Sequence, residues 1–142
     1  MKISARNMLL GKVSVLKTGA VNAEVELEVP GGHTIVAVVT NESVAYLGLS
    51  VGSEAYALVK APLVVVAKGK PDLKFSTRNV LGGTVKAVKL GTVNADVSIE
   101  LAGGAIISAI ITCESVQGMG LSVGDAATAL FKASSVILAV KA

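Results

Sequence analysis

Ser4 and Arg6, Thr40 and Ser43, and Lys60 return type for type as Ser76 and Arg78, Thr112 and Ser115, and Lys132, each 72 residues further on. Hydroxyl, guanidinium and ammonium groups all donate hydrogen bonds, and two of the three kinds carry positive charge. Thr40 and Thr112 stand where a helix would begin, and the first N–H groups of a helix have no partner within it and favour anions. Such a set suits a tetrahedral oxyanion that bears charge and no proton. Its charge-assisted bonds are roughly twice as strong as neutral ones. Each element alone has a plainer reading, since Thr-x-x-Ser is also an ordinary helix cap and an exposed lysine is usually a solvated charge. Survival of all three through duplication favours the ligand, because nearby surface residues drift: Lys12 becomes Thr84, Glu26 becomes Ser98 and Glu54 becomes Ala126.

The duplication runs without a gap. Gly19-Ala20-Val21-Asn22-Ala23 matches Gly91-Thr92-Val93-Asn94-Ala95, and Leu49-Ser50-Val51-Gly52 is identical to Leu121-Ser122-Val123-Gly124. Roughly half of the paired positions are identical, so one module is written twice. The expected domains are residues 1–70 and 71–142, joined by the polar stretch Lys68-Gly69-Lys70-Pro71-Asp72. A module of that length buries only about 60% of its unfolded surface and is marginal alone. The two should form a fixed pair.

The elements that must position these groups are mostly strands. Val21, Ala23, Val25, Leu27 and Val29 alternate with Asn22, Glu24, Glu26 and Glu28, which predicts a half-buried strand with its carboxylates on the wet face. Pro30-Gly31-Gly32 turns the chain into a more apolar strand from His33 to Val39. Thr40 caps a helix of about two turns that Gly48 stops. A strand near Glu54 to Lys60 follows, and Val64-Val65-Val66-Ala67 closes the module. Ile3 to Leu16 supplies the opening strand, bent near Gly11. The expected fold is all-β with one short helix per repeat, as two tandem OB-like five-stranded barrels.

Composition narrows the function. The net charge of +3 is mild, and 3% aromatic residues leave no stacking platforms, so nucleic acid is disfavoured. No apolar run reaches the roughly 20 residues of a membrane span, and Met1-Lys2-Ile3-Ser4-Ala5-Arg6 has no signal-peptide core, so a soluble cytoplasmic protein is expected. Cys113 is the only cysteine and its counterpart is Asn41, so no disulfide forms within the chain. No repeated cluster of His, Cys or Asp holds a metal cation, and no nucleophile stands with a base and an orienting group, so catalysis is not expected. His33 reads as a surface-loop residue, Tyr46 and Tyr56 as packing residues, and Glu42 and Glu114 as first-turn residues pointing away from the ligand.

Ser-Ala-Arg-Asn near the start, Gly-Ala-Val-Asn-Ala, Thr-Asn-Glu-Ser-Val and the Lys-Ala pairs at Lys60-Ala61 and Lys132-Ala133 resemble the molbindin (Mop) family, in its tandem form. The resemblance covers essentially the whole chain. It implies barrels of the Mop/TOBE type, assembly with threefold symmetry as a homotrimer, and molybdate as ligand with no separate cofactor. Carried over by position, the general sites use Ser4, Ala5, Arg6, Thr40, Ser43, Lys60 and Ala61, then Ser76, Thr77, Arg78, Thr112, Ser115, Lys132 and Ala133. Axial sites use Val21, Asn22, Val93 and Asn94. Met8 and Val80 stand where the family has glutamine, and Pro62 where it has a serine that Ser134 retains. Thr77 in place of Ala5 would add a hydroxyl. The resemblance implies a molybdate and tungstate binder for intracellular storage and homeostasis. The alternative is a molybdate-responsive sensor acting through a protein partner.

Overall fold

The computed structural model describes residues 2–142, so Met1, on which the first expected domain and the signal-peptide reading open, lies outside the described residues. Strands β1 (Asn7–Thr18), β2 (Asn22–Val29) and β3 (His33–Thr40) form an antiparallel meander. Helix α1 (Asn41–Leu47) follows, and β4 (Glu54–Val59) then pairs with the free side of β1. A 3₁₀ turn at Ala61–Leu63 leads into β5 (Val65–Lys68). The second repeat gives β6 (Val80–Leu90), β7 (Asn94–Leu101), β8 (Ile106–Thr112), α2 (Cys113–Met119), β9 (Ala126–Leu130), a 3₁₀ turn at Ala133–Ser135 and β10 (Ile137–Ala139). The result is two curled five-stranded antiparallel sheets and two short helices.

Alternation decides β2. Ala23, Val25, Leu27 and Val29 are buried, while Asn22 and Glu28 are exposed. Glu24 and Glu26, expected on the wet face, are half-buried, because side chains of the other repeat cover them. Helix α1 ends as the sequence requires: Thr40 accepts from the Ser43 N–H, and Gly48 takes the left-handed conformation. Its buried residue is Val44. Tyr46, expected to pack, is 88% exposed, because two residues at about 100° each carry it to the face opposite Val44.

The first strand differs from expectation in two ways. It begins at Asn7 rather than Ile3, and its irregularity lies between Val13 and Val15, where the register with β2 slips. Pairing with β4 runs unbroken from Asn7 to Lys12, through Gly11. A side chain there would meet the Glu28 carbonyl at 2.7 Å, so this glycine permits close approach of two backbones.

The largest departure concerns the last strand of each repeat. Val64-Val65-Val66-Ala67 was expected to close its own module, yet β5 pairs with β9, from Val65 opposite Leu130 to Lys68 opposite Ala127. Reciprocally, β10 pairs with β4, Ile137 opposite Leu58 and Ala139 opposite Tyr56. The sheet orders are therefore β10-β4-β1-β2-β3 and β5-β9-β6-β7-β8, each with one strand from the other repeat. Local pattern cannot distinguish these partners, because β4 and β9 are copies that accept either strand. The exchange fuses both repeats into one core, in which Val66 and Leu138 sit among residues of both halves.

Candidate functional site

The exchange carries each 3₁₀ turn onto the other repeat. The turn after Lys60 packs on β8 and the turn after Lys132 packs on β3. The seam so formed is held by two asparagines. Asn79, fully buried, donates to the Val36 carbonyl and accepts from the Val36 N–H, both at 2.7 Å. Asn7 does the same to Ser108, at 2.8 and 2.7 Å. Each amide thus imitates a neighbouring strand and satisfies backbone groups at the edge of β3 or β8. Both asparagines belong to the repeated Ser-x-Arg-Asn motif, but the sequence reading gave them no role. A polar residue kept at the head of two apolar strands was the available signal. The hairpin turns also meet: Gly103 touches Gly31, and His33 Nε2–H donates to the Ala102 carbonyl at 2.7 Å. His33 is therefore the first residue of a strand bonded across the seam, not a free loop histidine.

Beside Asn79 lies a cleft of about 300 Å³. Ser76, Thr77 and Arg78 line it with Lys132, Ala133 and Ser134, against Glu24, Val36 and Val38 of the first repeat. Five of the expected second-set residues are thus brought together. Thr112 and Ser115 are not among them. They line a separate cleft of about 490 Å³ with Pro62, Val64, Val66 and Met119. The expected sets mix the repeats, because each Lys-Ala pair abuts the other repeat's sheet.

Several donors are already engaged. Thr77 Oγ1 donates to the Phe131 carbonyl at 2.7 Å and accepts from the Asn79 N–H at 3.1 Å. Its single proton is used, so the hydroxyl expected to serve a ligand instead pins the loop. Thr40 Oγ1 accepts from the Ser43 N–H at 3.0 Å and donates to Ser43 Oγ at 2.8 Å. Thr112 and Ser115 repeat this geometry. The serine hydroxyl proton of each cap is the one still free to donate.

The arginines are paired across the seam. Arg78 bonds Glu24 and lies 3.6 Å from Glu26, while Arg6 bonds Asp96. The Glu24 hydrogen bond, with the charges of Glu24 and Glu26, raises the Arg78 pKa above its usual value. The sequence reading had a cleft of donors alone. The structure adds a carboxylate, Glu24, which could be anticipated only by knowing that β2 faces the other repeat. Lys60 and Lys132 are exposed at strand ends and make no ion pair among the described residues. Ser4 is exposed, Ala5 half-buried and Ala61 buried.

The axial candidates lie elsewhere. Val21 and Val93 are 68% and 67% exposed, beside exposed Asn22 and Asn94. The first loop is shaped by Gly19 N–H donating to the Asn22 carbonyl at 2.8 Å and by Asn41 N–H donating to the Val21 carbonyl at 2.8 Å. Asn41 Nδ2 also holds the Gly19 carbonyl at 2.9 Å, where Cys113 Sγ approaches Gly91 O at 3.4 Å in the second repeat.

Comparison with known proteins agrees with this duplicated layout. The TOBE domain matches residues 3–66 and again 76–138. The chain is 44% identical over 140 residues to the molybdenum-pterin-binding protein MopA of Rhodobacter capsulatus, covering 99% of this chain and 53% of that protein. It is 41% identical to the molybdenum transport protein ModE of Azotobacter vinelandii, covering 99% and 52%. The chain spans about half the length of these curated relatives. Among solved structures, the cytoplasmic molybdate-binding protein ModG, with molybdate bound, superposes with a TM-score of 0.96 at 49% identity, covering 99% of this chain and all of that one.

Proposed function

The chain belongs to the TOBE-domain family, with the domain in two tandem copies, and from that premise we propose that it binds molybdate, with tungstate as a mimic, for intracellular storage. The observation that carries this reading is its likeness, over the whole length of both chains, to a protein that holds molybdate. The relatives named above are binding and transport proteins, and we extend that to a protein without catalysis, acting in the cytoplasm.

Three copies assemble about a threefold axis. Val65 and Ile137 on the exchanged strands are each 62% exposed, and Met8, Leu10 and Val80 lie open on β1 and β6, apolar surface that neighbouring chains would cover. Within one chain Thr112 and Ser115 stand apart from Lys132, so a general site is completed by a neighbouring copy. The repeats 1–70 and 71–142 act as one binding unit, since each completes the other's sheet. Lys60 and Lys132 supply the charge. Selectivity over monohydrogen phosphate rests on the cleft's excess of donors, its one carboxylate, Glu24, having an oxygen engaged by Arg78.

Equilibrium dialysis against molybdate, with tungstate and phosphate as competitors, tests the reading. Molybdate should be retained and displaced by tungstate but not by excess phosphate; no retention would end the proposal. Light scattering should return a trimer, and a monomer would remove the shared site. A second reading, a sensing module in a longer regulator, is favoured by the match to about half of ModE. A partner captured only with molybdate present would select it.

A further inference from the structure

The inference rests on the oxyanion reading above and concerns how the two repeats differ within it. Arg78 holds two carboxylates, bonding Glu24 and lying 3.6 Å from Glu26. Arg6 holds one, Asp96, which is the counterpart of Glu24; the counterpart of Glu26 is Ser98. Two carboxylates thus stand against Arg78 and one against Arg6; Lys17, 4.0 Å from Glu24 and 69% exposed, offsets the first pair only weakly. We propose that Glu26 is an affinity-determining residue: it makes the general site at Arg78 and Lys132 the weaker of the two for a doubly charged oxyanion, and Ser98 leaves the site at Arg6 and Lys60 the stronger.

Glu26 acts in two ways. Its charge opposes a dianion directly, and its attraction at 3.6 Å helps keep the Arg78 guanidinium turned toward β2. A unit charge roughly 8 Å from a dianion in a water-like dielectric changes affinity by about fivefold. Only 17% of the Glu26 side chain is exposed, so water screens it less than that limit assumes. One feature opposes it. The Arg78 cleft keeps Ser134, where the first repeat has Pro62, and a neutral hydrogen bond is worth a factor of about 2 to 12. At a dielectric of about 40, between bulk water and a protein surface, the same charge at roughly 8 Å is worth about 30-fold, above that range.

The test separates the sites by removing one lysine at a time. In the full-length Lys60→Ala protein the remaining general site is that of Lys132. Calorimetric titration with molybdate at about 0.01 M salt, where screening is weak, should show Glu26→Gln tightening binding by about fivefold or more. The gain should shrink as salt is raised. In the Lys132→Ala protein, Ser98→Glu should weaken the remaining site by a similar factor. Ser98→Glu decides alone if Glu26→Gln does not fold. Changes below twofold in the folded variants overturn the proposal. Wild-type protein that takes up no molybdate would instead remove the oxyanion reading, and this inference with it.

Discussion

Asn79 and Asn94 are both asparagines at the head of a strand, yet one is fully buried and the other lies in the open. Asn79 faces the edge of β3 and gives both ends of its amide to Val36. Asn94 sits beyond the tight turn at Gly91, opposite Thr112, where nothing within the chain covers it. The same contrast separates Asn7 from Asn22. A buried amide must be bonded to the protein itself, because an unpaired polar group away from water costs about 1–3 kcal/mol. An exposed amide is bonded to water and stays free for a ligand or a neighbouring chain. The seam and the loops thus use one residue type in opposite ways, an amide bonded within the protein in one place and an open amide in the other.

Breaking the seam should have the largest effect. Asn79→Ala strands the Val36 N–H and carbonyl and should lower stability by about 2–4 kcal/mol, whereas Asn94→Ala should change it by less than about 0.5. Urea denaturation of both variants checks this, and equal losses would erase the contrast. Next, Lys60→Ala with Lys132→Ala should cost each general site about 2–5 kcal/mol of binding while leaving the urea midpoint in place. Bound molybdenum per assembled protein measures it, and full capacity would move the general sites elsewhere.

Asn22→Ala with Asn94→Ala sharpens the comparison from the other side. Each removes neutral donors worth about 0.5–1.5 kcal/mol. In the proposed threefold assembly, three tandem chains would give roughly six general positions and two axial ones. The variant should therefore lose a minor fraction of its molybdenum and none of its stability.

The smallest effect concerns acid. Asp125 accepts from the Ser122 N–H at 2.8 Å and lies 3.7 Å from Lys68, and these contacts, the Ser122 bond first, hold its carboxyl below the usual value of 3.8. Its contribution is therefore present above the unfolded pKa and fades as pH falls through the lower folded one. In the first repeat Ser53 makes the same turn without charge, accepting from Ser50 N–H at 3.0 Å. Asp125→Ser should flatten the acid limb of the stability curve, read as thermal midpoint from pH 7 downward, and an unchanged limb would deny Asp125 a part in it.

Strand alternation in β2, the Thr40 cap with its Gly48 stop, and the residues that recur at an offset of 72 were all legible in the sequence, because each depends on neighbours a few positions away or on direct comparison of the copies. Tyr46 was misread because a short helix offers too few positions to show which face is covered. Strand exchange was not legible, since two copies of one module present equivalent edges and no local energy distinguishes them. From that exchange follow the placing of Lys132 beside Val36, the pairing of Arg78 with Glu24 and Glu26, and the separation of Thr112 from Lys132. The sequence by itself determined which chemical groups the protein carries and the local elements that hold them. Only the tertiary structure decided which groups meet, because contacts between duplicated surfaces depend on how the chain crosses from one copy to the other.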